Sequence, residues 1–119
     1  MRIAIDFENT LTKREVFNLA NDLLNQGIEV TILTQRIGHI NSFQNQDILK
    51  ICRDLGLPYS SVVFTLDLVG YFRTSDYCEV YLSDNLINLQ LVDSEVNCIQ
   101  IFGNKDWENA CLEALIPVF

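Results

Sequence analysis

Carboxylates, a hydroxyl and a guanidinium stand where the apolar runs of this chain stop. The run Ile3 to Ile5 ends at Asp6, with Glu8 two residues on; "VTILT" ends at Thr34, followed by Arg36; "EVYLSD" ends at Asp84. Side chains of these types, brought to one edge, would suit a site handling Mg²⁺ and phosphate. Hard oxygen ligands take the cation, and the hydroxyl and guanidinium take the anion. Their meeting depends on the elements between them.

Ile3–Ile5 reads as a strand buried on both faces of a parallel sheet. Thr12 is placed to cap a helix running to about Asn25, with Glu15 three residues on completing a capping box. Val16, Phe17, Leu19, Ala20, Leu23 and Leu24 recur at helical spacing, and Gly27 can close that helix in a left-handed cap. A second strand follows at Ile28–Thr34 and a polar linker at Gly38–Asn45. Next comes a helix with the stripe Ile48, Leu49, Ile51, Cys52 and Leu55, stopped by Gly56 and Pro58. Ser61–Thr65 gives a third strand, and an irregular or helical stretch leads to a fourth ending at Asp84. "VNCIQIF" gives a fifth, and Asn104 or Asp106 can cap a last helix with Trp107, Ala110, Cys111 and Leu115. Strand and helix in alternation imply parallel strands joined by right-handed crossovers. The expected fold is α/β, a three-layer α/β/α sandwich around a mainly parallel five-stranded Rossmann-like sheet. Ligands of such sheets bind beyond the carboxyl ends of the strands, where Asp6, Thr34 and Asp84 stand.

At 119 residues and 49% hydrophobic content, one domain spanning residues 1–119 accounts for the chain. The net charge of −8 repels nucleic acid and anionic membranes alike. Cys52, Cys78, Cys98 and Cys111 form no CxxC pair, and His39 is the one histidine, which argues against structural zinc. Cysteines set among apolar residues suit a reducing compartment, so a cytoplasmic location is expected. No apolar stretch approaches the roughly 18 residues of a membrane span.

"IAIDFENTLT" resembles the first motif of the haloacid dehalogenase-like (HAD) phosphohydrolase superfamily, an apolar strand followed by D-x-D-x-T. "VTILTQR" is similar to its second motif, and "EVYLSDN" to the strand carrying its metal-binding aspartate; "LGLPYSSVVF" resembles a connecting segment of members without a cap domain. The likeness covers Arg2 to Phe102 in order. It implies a capless, Mg²⁺-dependent phosphomonoesterase working through an aspartyl phosphate. Asp6 would be the nucleophile and Glu8 the acid/base. Thr34 would bind a phosphoryl oxygen, with Thr10, Arg36 and Arg73 completing the substrate contacts. Asp6, the Glu8 carbonyl and Asp84 would hold Mg²⁺. The partner implied is a phosphorylated substrate, with the open rim left for a large substrate or a covering protein.

The chain departs from that pattern in three places. Glu8 stands where the family has aspartate, moving the carboxylate by about 1.5 Å. The family's lysine has no counterpart between Thr34 and Asp84, where Lys50 belongs to a helix face, leaving Arg36 or Arg73 as substitute cation. Asn85 and Asn88 follow Asp84 in place of a second acid. Two alternatives stay open: a HAD-like binding module whose catalysis has decayed, and a metal-dependent ribonuclease. "IDFEN" and "YLSDN" also resemble PIN/NYN-type nucleases, which implies Asp6, Asn9 and Asp84 with Asp67 or Asp93 as metal ligands.

Overall fold

The structure, a computed structural model, describes residues 1–36, 43–74, 78–92 and 96–116. Strands β1 (Arg2–Asp6), β2 (Glu29–Thr34), β3 (Val62–Phe64), β4 (Val80–Ser83) and β5 (Asn97–Gln100) form one sheet in the order β3-β2-β1-β4-β5. Every neighbouring pair is parallel. The described helices are α1 (Arg14–Asn25), α2 (Gln46–Leu55), α3 (Leu68–Thr74), α4 (Leu86–Leu91) and α5 (Trp107–Leu115).

The period-2 alternation of strand side chains sorts the core into two layers. Ile3, Ile5, Val80 and Leu82 pack on one face with Val16, Leu19 and Leu23 of α1, Cys52 of α2 and Cys111 of α5. Ala4, Leu33 and Tyr81 pack on the other with Leu68 of α3 and Leu89 of α4. Both faces are therefore apolar, which is why the strands read as continuous hydrophobic runs rather than alternating ones. The outcome is the three-layer α/β/α sandwich.

Helix α1 closes as its sequence predicts: Gly27 takes φ +81°, and the Ile28 and Gly27 N–H groups donate to Leu23 and Leu24 carbonyls, each at 3.0 Å. Gly56 ends α2 in the same left-handed region. The start of α1 differs from expectation. Lys13, not Thr12, holds the cap position, and no side chain caps the helix. A wide turn at Phe7–Leu11 uses the residues just before it, and Lys13 N–H donates back to the Thr10 carbonyl at 3.0 Å.

Strand β4 ends one residue early, at Ser83, because the Asp84 N–H is taken by the Thr10 hydroxyl at 3.0 Å instead of continuing the ladder. Strand β5, paired only with β4, is correspondingly limited to Asn97–Gln100. The stretch after β3 contains α3, and the linker before α2 falls partly outside the described residues, at 37–42. Cys52, Cys78 and Cys111 are buried, Cys98 is half-buried, and all are free thiols. Burial pushes Cys78 up to about 11 and Cys111 up to about 12, so these behave as small hydrophobes. No described helix is long and apolar enough to cross a membrane.

Chain order places β2 and β3 on one side of β1, and β4 and β5 on the other. The strand order reverses between β1 and β4, so the loops leaving their carboxyl ends diverge and leave a crevice there.

Candidate functional site

Asp6 is the last residue of β1 and sits at that crevice, only 8% exposed. Its register partner on β2 is Leu33, and Ser83 lies one residue beyond the Ile5–Leu82 pair on β4. Strand alternation then puts Tyr81 and Ser83 on the face where Asp6 points. The Tyr81 hydroxyl lies 2.8 Å from both Asp6 oxygens. Ser83 Oγ donates to Asp6 Oδ2 at 2.5 Å and Asn88 Nδ2 to the same oxygen at 3.3 Å. Oδ2 thus carries three contacts and Oδ1 one. Burial raises the Asp6 pKa above its ordinary value, with Glu8 adding to the rise, while the donors from Ser83, Tyr81 and Asn88 oppose it. Burial and the Asp6 charge push the Tyr81 phenol up, so it stays a hydroxyl donor.

The turn Phe7–Leu11 carries the chain from β1 toward α1. Asn9 adopts the left-handed conformation (φ 56°), which a short amide side chain tolerates better than most. Phe7 and Leu11 bury in the core, and Thr10, fully buried, accepts the Asp84 N–H. Asp84 is fixed further by the Phe102 N–H on Oδ1 (3.0 Å) and by Lys13 Nζ on Oδ2 (2.5 Å). Asn85 caps α4, its side-chain oxygen accepting from the Ile87 and Asn88 N–H groups at 3.0 and 3.2 Å. That cap aims Asn88 at Asp6.

Glu8 faces the other wall. Thr34 Oγ1 donates to its Oε1 at 2.6 Å, and Arg36 to its Oε2 at 2.9 Å. Arg36 also grips Asp47 through two 2.7 Å bonds, reaches the Gln44 carbonyl at 3.0 Å, and lies 5.1 Å from the centre of the Phe7 ring. The Arg36 hydrogen bond holds the Asp47 carboxyl below its usual value. Arg36 is a strut between β2 and the start of α2.

A cavity of about 740 Å³ opens here, and its walls include Asp6, Glu8, Asn9, Lys13, Thr34, Asp84 and Asn88. Of the candidates from the sequence, Asp6, Glu8, Thr34 and Asp84 meet in this crevice, as does Asn9. Thr10 stands behind it as a buried support, and Arg36 acts on it through Glu8. Arg73, exposed on α3, is not among the lining residues, and neither is Asp67, exposed ahead of α3 with its carboxylate on the Gly70 N–H. Asp93 and His39 lie outside the described residues. Sequence reasoning missed Lys13, Tyr81 and Ser83. Alternation in "EVYLS" could have placed Tyr81 and Ser83 on the Asp6 face; the approach of Lys13 depends on the turn and has no local signal.

The Mg²⁺ set implied by the resemblance can be tested on this geometry. Oδ2 of Asp6 is filled by hydroxyl and amide donors, and both Asp84 oxygens are engaged by the Phe102 N–H and Lys13. Among the described residues, no three of His, Cys, Asp and Glu are grouped so as to hold a metal ion. As arranged, these side chains do not fit a divalent cation, which needs several oxygens converging at about 2.1 Å.

The chain matches no family model, no curated protein and no solved structure, so the crevice is interpreted from its own geometry.

Proposed function

We propose that this crevice is the active site of a HAD-like phosphohydrolase that cleaves a phosphomonoester through an aspartyl phosphate on Asp6. The observation carrying that proposal is the asymmetry of Asp6 at the β1/β4 switch. One oxygen is clamped by Ser83, Asn88 and Tyr81, while the other holds only the shared Tyr81 contact. A carboxylate immobilised on one side and open on the other is preorganised for in-line attack. Oδ1 attacks phosphorus as the bond to the leaving oxygen breaks, and that oxygen takes a proton from solvent at the open mouth. Water then attacks the aspartyl phosphate, its proton passing to the Glu8 carboxylate, and the phosphorus–Asp6 bond breaks to release phosphate. Thr34, bound to Glu8, fixes the orientation of that base.

A decayed, phosphate-binding module is the second reading, favoured by the occupation of both Glu8 oxygens by Thr34 and Arg36. Phosphate release from a panel of phosphomonoesters, with Mg²⁺ and with EDTA, separates the two. Turnover abolished by Asp6→Asn supports the hydrolase; phosphate binding without turnover on any ester supports the module.

A further inference from the structure

We propose that Lys13 is the phosphate-binding cation of the crevice, its ammonium standing on Asp84 where a divalent ion would otherwise be expected, so that phosphate binds without metal. The proposal rests on the phosphate reading of the same site and deepens it.

A phosphate dianion brought to Asp6 meets a wall already rich in carboxylates, and some positive charge has to offset the repulsion. Among the described residues that line the crevice, Lys13 alone is cationic. Arg36 spends its guanidinium on Asp47, Glu8 and the Gln44 carbonyl, and stands outside the lining. The Lys13 ammonium has three N–H donors, and its bond to Asp84 uses one. The remaining donors belong to a side chain 36% exposed on the crevice wall.

Asp84 is built to hold that ammonium in place. Its N–H is tied to Thr10 and its Oδ1 to the Phe102 N–H, which leaves Oδ2 for Lys13. The carboxylate is the positioning group and the lysine the ligand-binding one. An ammonium on a flexible stem can move toward an arriving phosphate while keeping one bond to Asp84. The same bond explains why the acids form no oxygen cage: Asp84 has no free oxygen to share with Asp6.

The test is calorimetric titration of inorganic phosphate in EDTA at low ionic strength, with Mn²⁺ binding followed separately by electron paramagnetic resonance. The wild type is expected to bind phosphate in EDTA. Lys13→Ala should weaken binding at least tenfold, and Lys13→Arg should restore most of it. Lys50→Ala, which removes an equal charge from an exposed pair with Asp54 on α2, should leave it unchanged. Mn²⁺ should bind Lys13→Ala more tightly than the wild type, because Asp84 Oδ2 is then free. Phosphate binding that requires a divalent ion, or that survives Lys13→Ala undiminished, overturns the Lys13 assignment while leaving the phosphate site standing. Absence of phosphate binding with and without metal overturns both. A melting curve for each variant separates lost binding from lost fold.

Discussion

The Tyr81 hydroxyl bridges the two oxygens of Asp6 at 2.8 Å each, joining the end of β1 to the middle of β4 from residues 75 apart in sequence. The ring behind that hydroxyl is fully buried and tilted against Phe72, with centroids 4.9 Å apart. Tyr81→Phe keeps the ring and removes the bridge. Loss of one buried hydrogen bond should cost about 1 kcal/mol. The Asp6 carboxyl, deprived of a donor that stabilises its charged form, should titrate still higher. Carbon-13 NMR of the Asp6 carboxyl across pH reads the shift, and an unmoved titration would show that Tyr81 is only packing.

Asp6→Asn should stabilise the protein at neutral pH. The folded-state pKa of Asp6 lies above its ordinary value of 3.8, burial being the largest cause. The folded chain therefore holds the proton more tightly than the unfolded one, and stability falls as pH rises from 3.8 through the folded pKa. Above that window the ionised Asp6 is a standing cost, which the amide removes. The gain, read as a rise in Tm, is expected to be largest at pH 7 and to shrink as pH falls toward 3.8. Equal Tm differences at both ends would contradict the burial penalty.

Arg36→Ala should lower stability by about 1 kcal/mol and loosen Glu8. Arg36→Lys should not restore it, because one ammonium cannot reproduce the paired 2.7 Å bonds to Asp47. Denaturant melts of the two variants decide the matter; full recovery with lysine would mean that charge alone counts.

Asn9→Gly should be close to neutral, whereas Asn9→Val should cost about 1–2 kcal/mol, since a branched side chain is strained at φ 56°. The valine variant should also weaken phosphate binding, because the turn that Asn9 shapes delivers Lys13. Melting temperature and phosphate titration on the two variants check both effects.

The layers were legible in the sequence because a sheet covered on both faces writes its strands as unbroken apolar runs, and Gly27 and Gly56 mark helix ends by a conformation few other residues adopt. Asp6, Thr34 and Asp84 were legible for the same reason, as the first polar residues after those runs. Thr12 misled as a cap because Thr10 and Asn9 draw the preceding residues into a turn that local spacing does not announce. Lys13 and Tyr81 stayed hidden for a different reason. Their partners lie 71 and 75 residues away, and only the pairing of β1 with β4 brings them within reach.

That separation has a kinetic side. The clamp on Asp6 spans gaps of 75 to 82 residues, and the Asp84 anchors to Thr10 and Lys13 span 74 and 71. Contacts of such range form only after a long loop closes, and parallel pairing of that kind is slow. A chain folded only through β3 would carry Asp6 as an ordinary solvated aspartate and Lys13 as a free surface amine. On that ground the crevice is expected to form late in folding, with the docking of the fourth strand.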